Sequence, residues 1–149
     1  MPVIYPSLSE KDRESFLARR HIAVLSMPNG EHAPISSPIW YGYEPGGDIN
    51  IFIHETSLKA RRMLEGVRVS FTVHTEDPLV WVSAEGPVVS IRKGDLDRDF
   101  RRLAQRYLDN PDEQRERVEA YRTAEDEMLW VTIRPERWRS SDLSGDPDF

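Results

Sequence analysis

The sequence has no cysteine. That absence excludes disulfide staples, thiol nucleophiles and thiolate metal sites, and it accords with a cytoplasmic protein. No apolar run approaches the roughly 20 residues needed to cross a bilayer, so no membrane partner is expected. The opening MPVIYPSLSE lacks a basic stretch followed by an apolar one, and no signal peptide is read there. Positive charge is also in short supply. Lys and Arg number 20 against 26 Asp and Glu, a formal net charge of -6. An acidic balance argues against a general nucleic-acid binder, so no nucleic-acid partner is expected and any anion site must be local. His21, His32, His54 and His74 show no metal-ligand spacing, and no metal is expected. No Gly-x-Ser-x-Gly elbow and no recognisable Ser/His/Asp order is present, so no catalytic side chain is assigned. Internal repeats and linkers are absent.

What is there fits a globular chain. It has 149 residues, 38% hydrophobic and 31% charged. That is enough for one domain spanning residues 1–149 with a buried core. SEKDRESFLARR reads as a short helix capped by Ser9 or Ser7. HIAVLSM reads as a strand, followed by a turn at Asn29-Gly30. ISSPIWYGY is extended and EPGGD is a turn. INIFIH alternates, with Ile49, Ile51 and Ile53 on one face. VRVSFTVHT alternates more cleanly: Val67, Val69, Phe71 and Val73 oppose Arg68, Ser70, Thr72 and His74. LVWVSAEGPVVSI is a long strand with a bend or bulge at Gly86-Pro87.

DLDRDFRRLAQRYL is the clearest helix. Leu96, Phe100, Leu103, Ala104 and Tyr107 form its stripe and Asp95 its cap. NPDEQRERVEAYR is another, with Asn110 as cap and Pro111 at its first position. MLWVTIRPERW is a closing strand. About six nearly contiguous strands joined by tight turns imply an antiparallel sheet, closed or partly closed into a barrel, with flanking helices.

One stretch, HETSLKARRML, gathers cations where a strand stops and a helix starts. Ser57 is placed to cap that helix and Gly66 to end it. Free N–H groups at the start, Lys59, Arg61 and the hydroxyls of Thr56 and Ser57 suit a phosphate or carboxylate. The same residues suit a capped, solvated surface helix whose cations meet carboxylates elsewhere.

The succession HIAVLSMPNGEHAPISSPIWYGY, a strand, TSLKARRML, VRVSFTV and VSAEGPV, with the ending RPERW, resembles the flavin-binding split-barrel family of pyridoxamine 5'-phosphate oxidase and its relatives. It looks most like the small actinobacterial-type members that use FMN or the 8-hydroxy-5-deazaflavin coenzyme, F(420). The resemblance implies a six-stranded antiparallel split β-barrel that pairs into a homodimer with two cofactors at the subunit interface. The family's small-hydroxyl-then-Lys motif matches Ser57 and Lys59, which would hold the cofactor phosphate. Arg61, one helical step on, would reach the same phosphate or a polyanionic tail. The strand under the tricyclic ring matches Ser36, Ser37, Pro38, Ile39 and Trp40. Ile53 and His54 match positions lining the ribityl chain or phosphate, His54 as a polar contact rather than an acid-base catalyst. Glu85-Gly86 matches a strand near the interface.

The departures count as well. The vitamin oxidases carry an Arg early in the ring-bearing strand and a Lys at its end, where this chain has Ile35 and Trp40. They end with an Arg-x-His element, and RSSDLSGDPDF contains none. Vitamin B6 oxidation is therefore not expected, and F(420) stands level with FMN. The reading is an oxidoreductase passing a hydride between such a cofactor and a small unsaturated organic substrate. The alternative is a protein that binds or sequesters a flavin or tetrapyrrole without turnover. Trp40, Tyr41, Tyr43 and Trp81 exceed what a small interior needs, so some are expected at a dimer interface. The segment around Tyr5 is a candidate lid.

Overall fold

The fold is built on period-two alternation. The computed structural model describes residues 5–145. Helix α1 (Glu10–Ala18) leads into β1 (Ala23–Met27), β2 (Ile35–Ile39) and β3 (Ile49–His54). After the short α2 (Leu58–Arg62) come β4 (Arg68–His74) and the long β5 (Val80–Lys93). A single π-helical turn (Leu96–Phe100) runs into α3 (Arg101–Tyr107), followed by α4 (Pro111–Ala120) and a 3-10 turn (Arg122–Glu127). Strands β6 (Met128–Ile133) and β7 (Arg137–Asp142) close the order.

All strand pairs are antiparallel, in the order β2-β1-β4-β5-β6-β3, with β7 beside β5 and off that path. The path therefore has the six strands expected of a split barrel. Its free ends are β2 and β3, and beyond the end of β2 Gly42 forms an isolated bridge with Asn50 of β3. The alternating residues of β1, β3 and β4 turn Leu25, Ile49, Ile51, Val69, Phe71 and Val73 inward, and each is 2% exposed or less. They form one continuous core with Phe16 and Leu17 of α1. Ser9 caps α1 by accepting from the Asp12 N–H at 3.1 Å. Each of the larger core side chains contributes roughly 1.5–3 kcal/mol by burial.

β5 turns the corner of the barrel. Its first half pairs with β4 and β7, and its second half with β6 after a register shift between Val88 and Ser90. The bend expected at Gly86-Pro87 has a close-packing cause. A Cβ on Gly86 would lie 1.6 Å from the Arg134 carbonyl oxygen, because the chain crosses β5 there. The crossing is fixed by Arg134 N–H to Pro87 O at 3.1 Å and Glu136 N–H to Glu85 O at 2.8 Å. It divides MLWVTIRPERW, read as one strand, into β6 and β7. Pro135 has no N–H to continue a ladder.

Two other readings change. DLDRDFRRLAQRYL, read as one helix, starts as the π turn, with Asp95 capping the Arg98 N–H at 2.8 Å, and only then becomes α3. Gly66 does not end α2. That helix stops at Met63, and Gly66, at φ +89°, bends the chain into β4 and donates to Val88 O. Asn110 caps α4 with Pro111 at its first position, as the sequence indicates. The α3–α4 hairpin packs on the outer face of β3 and β6. Leu96, Phe100, Leu103 and Val118 there meet Trp130 and Phe52.

Candidate functional site

The outer face of β3 carries Asn50, Phe52 and His54, while Ile49, Ile51 and Ile53 fill the barrel. Beside Phe52 a groove of about 400 Å³ opens between the barrel wall and the helical hairpin. Its walls are Pro38, Ile39, Trp40, Phe52, Phe100 and Tyr121, with Ile22 and Leu103 completing them. Trp40 is held by its neighbours. The Tyr107 ring stacks on it at 4.7 Å between centroids, and Phe100 lies parallel to it at 6.4 Å. The Arg117 guanidinium sits 5.4 Å from the Trp40 ring. The Tyr107 hydroxyl donates to His21 O at 2.6 Å, which ties this aromatic cluster to the loop before β1.

β2 positions the rest of the ring-bearing segment. It is an end strand with only β1 beside it, the place in a sheet where a proline such as Pro38 is tolerated. Ser36 and Pro38 face outward, and the Ser36 and Ser26 hydroxyls are 3.0 Å apart. The Ser37 Oγ is enclosed and has no hydrogen-bond partner. An orphaned buried hydroxyl costs roughly 1–3 kcal/mol, and it sits in the segment matched to the cofactor ring.

Two residues beyond Phe52 on the same face of β3, His54 is fully engaged. Its Nε2 lies 2.7 Å from the Glu127 carboxylate. Its Nδ1 accepts from the Thr56 N–H at 3.1 Å and lies 2.7 Å from the Thr56 hydroxyl. With Nδ1 accepting, the ring proton is on Nε2 and points at Glu127. That arrangement fixes the imidazole and gives it no free nitrogen for proton transfer.

The chain then enters α2. The Ser57 Oγ accepts from the Ala60 N–H at 3.2 Å, which leaves its own O–H to donate. Lys59 is half-buried and Arg61 and Arg62 are exposed. Among the described residues, none of the three pairs with a carboxylate. Five residues make too short a helix for a substantial dipole, so the attraction for an anion rests on the three side-chain charges.

The structure brings Pro38, Ile39 and Trp40 into one groove, and His54, Thr56, Ser57, Lys59 and Arg61 into one contiguous turn further along β3. Ile53, 4% exposed, belongs to the core, so its side chain faces the barrel interior and not this surface. Phe52, Tyr121 and Arg117 escaped the sequence reading, and Phe100 and Tyr107 were read only as a helix stripe and not as site residues. The available signal was Phe52, a large apolar residue on an otherwise polar strand face. Tyr41 and Tyr43, grouped with the interface aromatics, are interior. The Tyr41 hydroxyl donates to Leu17 O at 2.5 Å, and burial pushes its pKa up. Burial, with Glu14 second among the upward causes, pushes Tyr43 up to about 12. Trp81 remains half-buried on the outer face.

Among the described residues no group of three or more His, Asp or Glu side chains is arranged to hold a metal. No helix there is long and apolar enough to cross a membrane.

Fold comparisons agree with this arrangement. A conserved hypothetical protein from Mycobacterium tuberculosis superposes with a TM-score of 0.71 at 25% identity, over 95% of this chain and 89% of that one. An F(420) reductase gives 0.67 at 17% identity, over 93% and 98%. A FAD-binding protein from Mycobacterium smegmatis gives 0.59 at 14% identity, over 91% and 97%. No curated protein matches by sequence. The family model described as pyridoxamine 5'-phosphate oxidase matches residues 9–142. With that match spanning α1 to the last residue of β7, the chain belongs to the pyridoxamine 5'-phosphate oxidase family of split barrels.

Proposed function

We propose that this protein binds FMN or the deazaflavin coenzyme F(420) and acts as an oxidoreductase on a small unsaturated organic substrate. The observation that carries this reading is the continuity of one strand face. An apolar aromatic groove at Phe52 gives way, within a few residues, to three cations with no carboxylate partner among the described residues. A flat ring with an anionic tail has that distribution of chemistry. The residues present fit such a group. Pro38, Ile39 and Trp40 line the ring side, with Ser36 on the same outer face of β2, while the Ser37 side chain turns inward beside Leu25 and would contribute only through its backbone. Lys59, Arg61 and the free O–H of Ser57 would hold the phosphate, while Thr56 and His54 set the turn that presents them. Ile53 would contribute only through its backbone.

The hydride chemistry belongs to the cofactor when it is bound. The protein supplies orientation, exclusion of water and fixed donors, and no side chain acts as a nucleophile. The uncharged outer strip of Val24, Ser26, Ser36, Pro38 and Thr72 suits a second copy of the chain, so the functional unit is a homodimer. Residues 1–149 then form one domain of a cytoplasmic protein. Vitamin B6 oxidation is not the activity proposed, since by the family resemblance Ile35 and Trp40 stand where the vitamin oxidases have cations.

Titration with FMN, FAD and F(420), followed by fluorescence, tests the binding. Saturable binding of FMN or F(420), followed by acceptor-dependent oxidation of the reduced cofactor, supports the reading. Failure of both to bind at micromolar concentration removes it. The alternative, binding without turnover, draws on the FAD-binding neighbour, whose name records binding alone. Tight binding of a flavin or tetrapyrrole with no acceptor turned over would establish it.

A further inference from the structure

A second opening lies between α3 and the turn that leads into β3. Its volume is about 410 Å³, within the range of small-molecule sites, and it shares only Leu103 with the groove beside Trp40. Trp130 and Asn50 line it as well. The Asn50 Oδ1 accepts from the Thr132 hydroxyl at 2.9 Å. The Asn50 amide N–H groups therefore have no partner among the described residues and remain able to donate.

The charges of this cleft are sorted by wall. Arg102 and Arg106 stand one helical turn apart on α3, and Glu44 and Asp48 stand on the turn opposite. Two arginines at that spacing repel each other. Other arginines of the hairpin are answered by acids: Arg101 by Asp97, Arg115 by Asp112, and Arg122 by Asp97, Glu119 and Glu125. Across the cleft no such pair forms. Among the described residues Arg102 and Arg106 meet no carboxylate, and Glu44 and Asp48 meet no cation. Arg106 is pinned instead by donating to Ala18 O and Arg19 O, with its guanidinium 4.8 Å from the Tyr41 ring. Arg102 is exposed and makes no hydrogen bond among the described residues. Opposite charges thus face each other across unfilled volume, and the field runs from the helix to the turn.

We propose that this cleft binds a small zwitterion, an α-amino acid with an apolar side chain. Its carboxylate meets Arg102 and the Asn50 amide, in the field of Arg106. Its ammonium group meets Asp48 and Glu44. Its side chain covers what Leu103 and Trp130 leave open. A simple anion is repelled by the acidic wall and a simple cation by the basic one, whereas a molecule with both charges is attracted at each end. The proposal does not depend on the cofactor reading, because the two openings have different linings.

Equilibrium dialysis without cofactor tests this, with three probes that differ only in charge. L-Phenylalanine carries both charges, L-phenylalanine amide only the cation, and N-acetyl-L-phenylalanine only the anion. The wild-type protein should bind phenylalanine about five- to tenfold more tightly than either derivative, a modest preference because the charges are open to solvent. Arg102→Gln should abolish the preference over the amide and keep the preference over the acetyl derivative. The pair Glu44→Gln and Asp48→Asn should do the opposite, and Arg102→Lys should retain part of the wild-type pattern. None of these side chains makes a hydrogen bond among the described residues, so the variants should fold, and a melting curve verifies this. No binding of phenylalanine at millimolar concentration, equal affinity for the three probes, or preferences that survive all the neutral substitutions would overturn the proposal. Titration of the same variants with FMN and F(420) should match the wild type. Altered cofactor affinity would assign these residues to the cofactor and overturn a separate site, while loss of cofactor binding in the wild type alone would remove only the oxidoreductase reading.

Discussion

Trp40 and Tyr41 are consecutive in the chain and lie on opposite sides of the barrel wall. Tyr41 is fully buried, tilted against Phe71, with its hydroxyl donating to the last turn of α1. Trp40 is half-buried outside, stacked on Tyr107, beside open volume. The inner aromatics close the core and satisfy their polar atoms within it. The outer ones are equally ordered but leave room and an exposed cation nearby. Composition does not distinguish the two sets; which side of the strand a residue faces does. One set serves folding and the other leaves contacts for a guest.

The comparison can be broken most severely from the inside. Tyr41→Ala should destabilise the fold by about 3–5 kcal/mol, measured by denaturant unfolding, because it leaves a core cavity and an unpaired carbonyl. Trp40→Ala removes only a half-buried ring, and its stability loss should be clearly the smaller of the two. If the two variants lose stability equally, the inner and outer clusters are not distinct in role.

Lys59→Ala sharpens the outer side. It should weaken FMN or F(420) binding by about 1–3 kcal/mol while leaving the unfolding midpoint unchanged, since Lys59 supports no ion pair among the described residues. Added salt should weaken the wild-type interaction in the same direction. An affinity that does not move would take the phosphate away from α2.

Tyr41→Phe keeps the inner packing and removes only the hydroxyl. About 1–3 kcal/mol should be lost, because the buried Leu17 carbonyl loses its donor. No loss would mean that water replaces the bond.

The smallest effect is expected at His21, on the seam between the two aromatic sets. Its ring stacks on Phe16 and its carbonyl accepts from Tyr107. Burial lowers its pKa from 6.5, outweighing the backbone contact with Phe16 O, and Arg106, Arg19 and His74 push the same way. A histidine depressed in the folded state binds fewer protons there than in the unfolded chain, so stability is full above 6.5 and falls as the pH drops below it. Melting temperatures from about pH 7 to about pH 5 should decline, and less steeply in His21→Gln. Parallel slopes in the two proteins would exclude His21 as the source.

The barrel was legible because its interior is written twice, once by alternation along each strand and again by turn residues between strands. Ile49, Ile51, Ile53, Val69, Phe71 and Val73 face inward as alternation requires. The cap and cation cluster at Ser57, Lys59 and Arg61 was visible for the same local reason. The groove was not. Phe52 meets Phe100, Trp40 meets Tyr107 and Arg117, and His54 meets Glu127, all across separations that no local period encodes. Phe100 read as an ordinary helix stripe because a stripe says that it packs, not against what. The division into β6 and β7 was hidden because it depends on a backbone crossing at Gly86.

That crossing has a consequence for how the molecule comes apart. β5 is hydrogen-bonded to β4, β6 and β7, and the chain between β6 and β7 passes directly over it. Neither half of the barrel can detach while β5 stays in place, because peeling away β6 or β7 drags the crossover across Gly86. Unfolding is therefore all-or-none at this strand. The amides at the centre of β5 should exchange with solvent only through global opening, at a single common free energy, while those of β2 and α2 at the margins exchange through local fraying.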